Sequence, residues 1–72
     1  MEVYKRETRE VMRRFLNRQL SFPNCIAALD AALAGLLPRL QPGQLDEVRA
    51  LMLANNAIVM EEMQKRGEKT NA

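Results

Sequence analysis

Few side chains in this chain could do catalytic chemistry. It has no histidine and one cysteine, Cys25, so no nucleophile–base pair or zinc-ligand set is recognisable. The two carboxylate pairs, Asp46–Glu47 and Glu61–Glu62, are neighbours in sequence, and neighbouring side chains on a helix point about 100° apart. The members of a pair therefore cannot meet at one metal ion or one bond. We expect a protein that is not an enzyme and holds no metal and no cofactor.

Two adjacent amides, Asn55 and Asn56, lie in an otherwise apolar stretch between Leu51 and Met60. Both project within about 60° of the centre of an apolar helical stripe, and a buried amide without a partner costs about 1–3 kcal/mol. Three interpretations stay open. The stripe could rotate and leave one amide solvated, the pair could specify register or partner as in coiled coils, or it could hold a ligand.

A basic ridge runs along the first predicted helix, formed by Arg6, Arg9 and Arg13. Such side chains can neutralise phosphates, which makes a small nucleic-acid-binding regulator the alternative function. Glu7 and Glu10 interrupt the ridge, however, and a solvated charged face is the favoured interpretation.

Small residues recur every four positions at Ala27, Ala31 and Gly35, with Ala34 beside them. They lie behind a predicted seam of larger apolar side chains: Phe22, Ile26, Leu29, Leu33 and Leu36. A helix that is apolar on both sides is normally buried on both sides. The alanine face therefore predicts a second contact, such as another copy of the chain.

The third predicted helix is longer than the second, about 36 Å against about 24 Å at 1.5 Å per residue. Its far end, with Met60 and Met63, would be poorly covered in a single chain. Methionines there form either core or an adaptable groove. The candidate interface is thus made of these residues: Ala27, Ala31, Ala34, Gly35, Asn55, Asn56, Met60 and Met63.

The positions of proline, glycine and apolar residues predict an all-α fold with three helices, over about 3–20, 22–37 and 43–66. On the first helix one side is predicted to face the core, with Tyr4, Thr8, Val11, Met12, Phe15 and Gln19. Ser21 suits a helix N-cap, Pro23 and Pro42 suit first turns of helices, and Gly67 suits a helix end. Short connections predict an up-down-up bundle. We expect one domain over residues 1–67 and a disordered tail over 68–72.

Self-association is the expected way to complete so small a core. A chain of 72 residues buries little apolar surface, and one cysteine cannot form an internal disulfide. The absence of a leader-like segment and the short apolar run Ala31–Leu37 predict a cytoplasmic protein without a membrane span. The sequence favours a protein–protein interaction module that forms a homodimer, with other protein partners and nucleic acid as weaker alternatives.

Overall fold

The computed structural model describes residues 1–67, and these contain three α-helices and no strand. The helices are α1, Glu2–Leu16; α2, Phe22–Leu36; and α3, Leu45–Lys65. Two short 3-10 turns, Leu37–Arg39 and Pro42–Gln44, connect α2 to α3. The prediction of an all-α fold is confirmed, whereas the predicted tail over 68–72 lies outside the described residues.

Helix α1 buries the face that the sequence predicts: Tyr4, Thr8, Met12 and Phe15. The hydroxyl of Thr8 is satisfied inside the helix because it donates to the carbonyl oxygen of Tyr4, 3.0 Å away. A polar residue can therefore lie within an apolar face without an unpaired hydroxyl group.

Helix α1 ends at Leu16, four residues before the predicted end at 20. Arg18 adopts a left-handed conformation with φ of 62°. The amides of Arg18 and Gln19 donate back to the carbonyls of Phe15 and Arg14, at 3.0 and 2.8 Å. These two bonds form a Schellman motif, which satisfies carbonyls at the helix end and usually has glycine at the left-handed position.

Helix α2 begins as predicted at a serine cap, since the Ser21 hydroxyl oxygen accepts from the amide of Asn24 at 3.3 Å. Its buried line differs from the predicted seam. Small side chains, Cys25 and Ala32, are buried together with Leu36. The larger predicted seam residues Phe22, Ile26, Leu29 and Leu33 are only half-buried.

Helix α3 buries Val48, Val59 and Met63 along one face. The core has two clusters, one at each end of the molecule. The first contains Met12, Phe15, Cys25, Val59 and Met63. The second contains Tyr4, Ala32, Leu36 and Val48. Helix α1 packs closely along α2, whereas the backbones of α2 and α3 do not approach each other closely.

Arg66, just after α3, contacts the end of α1. Its guanidinium donates to the carbonyl oxygen of Phe15 at 2.7 Å and to the Glu62 carboxylate at 2.9 Å. The same group lies over the Phe15 ring, 4.5 Å from its centroid. Phe15 is fully buried, so Arg66 covers the core with its charge paired and its donors used.

We expect Arg66→Ala to lower the free energy of unfolding by about 1–3 kcal/mol, because it removes a charged hydrogen bond and leaves Glu62 unpaired. Arg49→Ala is the matched control: its 3.9 Å pair with Asp46 is exposed, and its loss should cost under about 0.5 kcal/mol. Urea denaturation followed by circular dichroism measures both. Equal losses in the two variants would contradict the role given to Arg66.

Replacing Arg18 by glycine should stabilise the protein by about 0.5–1 kcal/mol, since glycine removes the strain of the left-handed conformation. Asn17→Gly is the control, because Asn17 has an ordinary φ of −90° and glycine there only adds freedom to the unfolded chain. Thermal unfolding should therefore move in opposite directions in the two variants. A lower melting temperature for Arg18→Gly would be inconsistent with the motif.

Candidate interaction surfaces

A groove of about 310 Å³ lies between α2 and α3, above Tyr4 of α1. Its other lining residues are Ile26, Leu29, Asp30, Leu33, Met52, Asn55 and Asn56. Small side chains of α2, among them Ala28 and Ala32, lie beside α1, whereas the larger Ile26, Leu29 and Leu33 form the wall that faces α3. The chemical result is an apolar cleft with a few polar groups at its edges.

Both asparagines of the sequence prediction lie on this groove. Asn55 is half-buried and Asn56 is exposed. Neither amide is enclosed in the core, so neither has to be satisfied by another buried group. The other two interpretations, that the amides specify a partner or that they bind a ligand, remain predictions.

A second apolar surface lies on α3 opposite the core. It consists of Ala50, Leu53, Ala57 and Met60, all exposed, and we call it the outer seam. The spacings of three and four residues are those of a coiled-coil seam. Leu53 is 64% and Met60 51% exposed, so two large apolar side chains project into solvent from one helix face.

The alanine face of α2 is in solvent, since Ala27, Ala31, Ala34 and Gly35 are all exposed. Ala31 lines a shallow depression against α1, beside Arg6, Glu7 and Glu10. Gly35 lines a neighbouring depression, which Val3 and Arg39 border.

The structure thus divides the candidate interface among several places. The asparagines lie on the α2–α3 groove, whereas Ala31 and Gly35 line depressions between α1 and α2. Met63, which the sequence assigned to the interface, is 7% exposed and packs against Phe15 in the core. Met60, three residues earlier, points only about 60° away from Met63 around the helix, yet this difference is enough to leave it 51% exposed.

The predicted basic ridge of α1 is exposed at Arg6, Arg9 and Arg13. The Arg13 guanidinium donates to the Glu10 carboxylate, with 3.0 Å between Nε and Oε1. This contact raises the pKa of Arg13 and lowers that of Glu10. Part of the positive charge of the ridge is therefore balanced within α1.

Two buried groups have pKa values displaced by their surroundings. Burial raises the pKa of the Tyr4 phenol, which therefore stays protonated and able to donate. Burial also raises the pKa of the Cys25 thiol, and the nearby Arg66 charge only partly opposes this. Cys25 is fully buried, as expected for a small core residue.

Sequence reasoning missed the outer seam and the role of Tyr4 beneath the groove. The seam had a signal, because Ala50, Leu53, Ala57 and Met60 already follow coiled-coil spacing in the sequence. No sequence signal marks Tyr4 in this way, because it lies beneath the groove only as a result of how α1, α2 and α3 pack together.

Across residues 1–67, no helix has the length and apolar character needed to cross a bilayer, and no acidic, cysteine or histidine side chains group together as metal ligands. Comparison with protein-family models, curated proteins and solved structures found no match to this chain.

The Cys25 thiol should react with Ellman's reagent far more slowly in the folded protein than in guanidinium chloride, because it is enclosed and protonated. Its raised pKa should also make the folded protein lose stability as pH rises above about 8.5, where the unfolded chain ionises first. Cys25→Ala should remove this pH dependence. Rapid labelling of the native protein would contradict the placement of Cys25.

Proposed function

We propose that this chain is a non-enzymatic protein–protein interaction module that forms a homodimer through the outer seam of α3. The observation that carries the proposal is the exposed line of Ala50, Leu53, Ala57 and Met60. Its alternation of small and large side chains suits interdigitation with the same seam on another copy, where each large side chain fits between residues of the facing helix. A two-fold axis lets one surface serve both partners.

The energetic case rests on the two large side chains. Complete burial of a fully exposed leucine or methionine contributes about 1.5–3 kcal/mol. Leu53 is 64% and Met60 51% exposed, so each gains roughly half to two thirds of that, and each dimer would bury both twice. An interface of ordinary size covers about 800 Å² on each partner. Ile58 and Leu45, also exposed on α3, lie roughly 100–120° around the helix from the centre of the seam, so the seam contact itself rests on Leu53 and Met60.

The alanine face of α2 is the weaker contact surface within this proposal. Ala27 and Ala34 are exposed but carry little apolar area. Their main use would be to let a second helix approach closely, as small residues do. For this reason the seam, and not the alanine face, is assigned the primary contact.

Sedimentation velocity over a wide concentration range tests the proposal. We expect a dimer at high micromolar concentration, and we expect Leu53→Glu combined with Met60→Glu to give an 8.2 kDa monomer with unchanged helix content. The matched control is Ala27→Glu combined with Ala34→Glu, which places two similar charges on α2 and should leave the dimer intact.

Each outcome bears on a different part of the proposal. A wild-type chain that remains a monomer at high micromolar concentration would overturn self-association. A dimer that is lost in the alanine variant and retained in the seam variant would instead place the contact on α2 and remove the assignment to α3.

We also infer an up-down-up order of the helices. The salt bridge between Lys5 and Glu47, 2.7 Å long, joins the beginnings of α1 and α3. Arg66 and Phe15 join their ends. Helix α2 connects the end of α1 to the beginning of α3, so it runs antiparallel to both. In this arrangement the outer seam of α3 points away from the other two helices.

The alternative function, a small nucleic-acid-binding regulator, relies on Arg6, Arg9 and Arg13. Three cations that track a phosphate backbone would favour it. The carboxylate of Glu10 holds Arg13, and Glu7 lies beside Arg6 at the α1–α2 depression. This balance of charge makes the nucleic-acid function the second choice.

A further inference from the structure

The α2–α3 groove has the size of a small-molecule site and lies away from the outer seam. Its volume of about 310 Å³ is near the lower limit of ligand pockets, which occupy roughly 300–1,000 Å³. The α2 wall from Ile26 to Leu33 is only about 10 Å long at 1.5 Å per residue. A groove of this length and volume has room for one compact small molecule.

Tyr4 provides a polar group beneath the apolar walls. Its side chain is 4% exposed and lines the groove. Within residues 1–67 its hydroxyl has no hydrogen-bond partner, and no buried side-chain oxygen there lacks one, so the hydroxyl oxygen reaches solvent. A hydroxyl in this position can donate to a ligand that enters the groove, and such a bond favours ligands with an acceptor at their buried end.

Asp30 is the one charged residue among those lining the groove. It is exposed, and in the described part of the chain its carboxylate forms no salt bridge. The apolar side chains of Leu29 and Leu33 precede and follow it on the same helix. A carboxylate at the edge of an apolar cleft is complementary to a cation with an apolar body.

We propose that the α2–α3 groove binds a small amphipathic amine. The apolar body of the ligand lies between Leu29, Leu33 and Met52, and its ammonium group donates to Asp30. An acceptor at the opposite end of the ligand receives the hydrogen bond of the Tyr4 hydroxyl. The proposal is independent of self-association, because it uses a different set of side chains.

The probe is 4-methoxyphenethylamine, which carries an ammonium group, a phenyl ring and an ether acceptor. Titration followed by amide chemical shifts should show saturable changes at Tyr4, Asp30 and Asn56. A ligand of this size should bind with a Kd on the order of 1 mM. The matched alcohol, 2-(4-methoxyphenyl)ethanol, should bind more weakly, and 4-methoxyphenylacetate weakest, because Asp30 repels its carboxylate.

Variants separate the contributions to binding. Asp30→Asn should weaken the amine about threefold and leave the alcohol unchanged, whereas Tyr4→Phe should weaken both by about fivefold. Asn56→Trp should fill the groove and block all probes. Lys65→Trp, at an exposed position of α3 that lies outside both the groove and the outer seam, should not.

The proposal is overturned if no shift saturates at concentrations well above the expected Kd, or if the carboxylate binds as tightly as the amine. It is also overturned if Asn56→Trp and Lys65→Trp bind the amine equally well. Sedimentation of the same variants shows the state of the dimer separately, so failure of the groove and failure of the seam give different results.

Discussion

The contact between Arg66 and Phe15 determines how α3 lies on α1. The planar, charged guanidinium of Arg66 donates to two acceptors, the Phe15 carbonyl and the Glu62 carboxylate. A lysine has no such planar fork and could not serve both acceptors with the same geometry. With the Lys5–Glu47 salt bridge at the other end, α3 is held along α1 by both of its ends. One face of α3 then packs in the core, and the opposite face, with Leu53 and Met60, points away from the rest of the chain.

The second constraint is the face that α2 presents to α1. Cys25 and Ala32 are small, so the two helices pack closely along this line. The same rotation moves Leu29 and Leu33 to the side of the contact, toward α3. Since α3 is already held by α1, it does not move in to cover these leucines. The groove and its apolar walls therefore follow from the choice of small residues for the α1–α2 contact.

Sequence patterns predicted the parts of the fold that depend on one helix at a time. The apolar face of α1 and the serine cap at Ser21 required only local spacing and chemistry. The end of α1 was misplaced because Arg18 occupies a left-handed position where glycine is the usual signal. The rotation of α2 was also missed, since an all-round apolar helix has several equivalent faces and only α1 decides among them. The same limit applied to α3, where Met63 is buried and Met60 exposed.

The exposed positions of α3 need a reason beyond helix formation. Lysine, glutamate, glutamine and arginine form helices about as well as leucine and methionine do, and in solvent they add no apolar surface. Leu53 and Met60 are 64% and 51% exposed and are not members of either core cluster. Much of their apolar surface therefore stays in solvent in the isolated chain. We propose that a second copy of α3 covers these side chains, because their spacing is that of a coiled-coil seam.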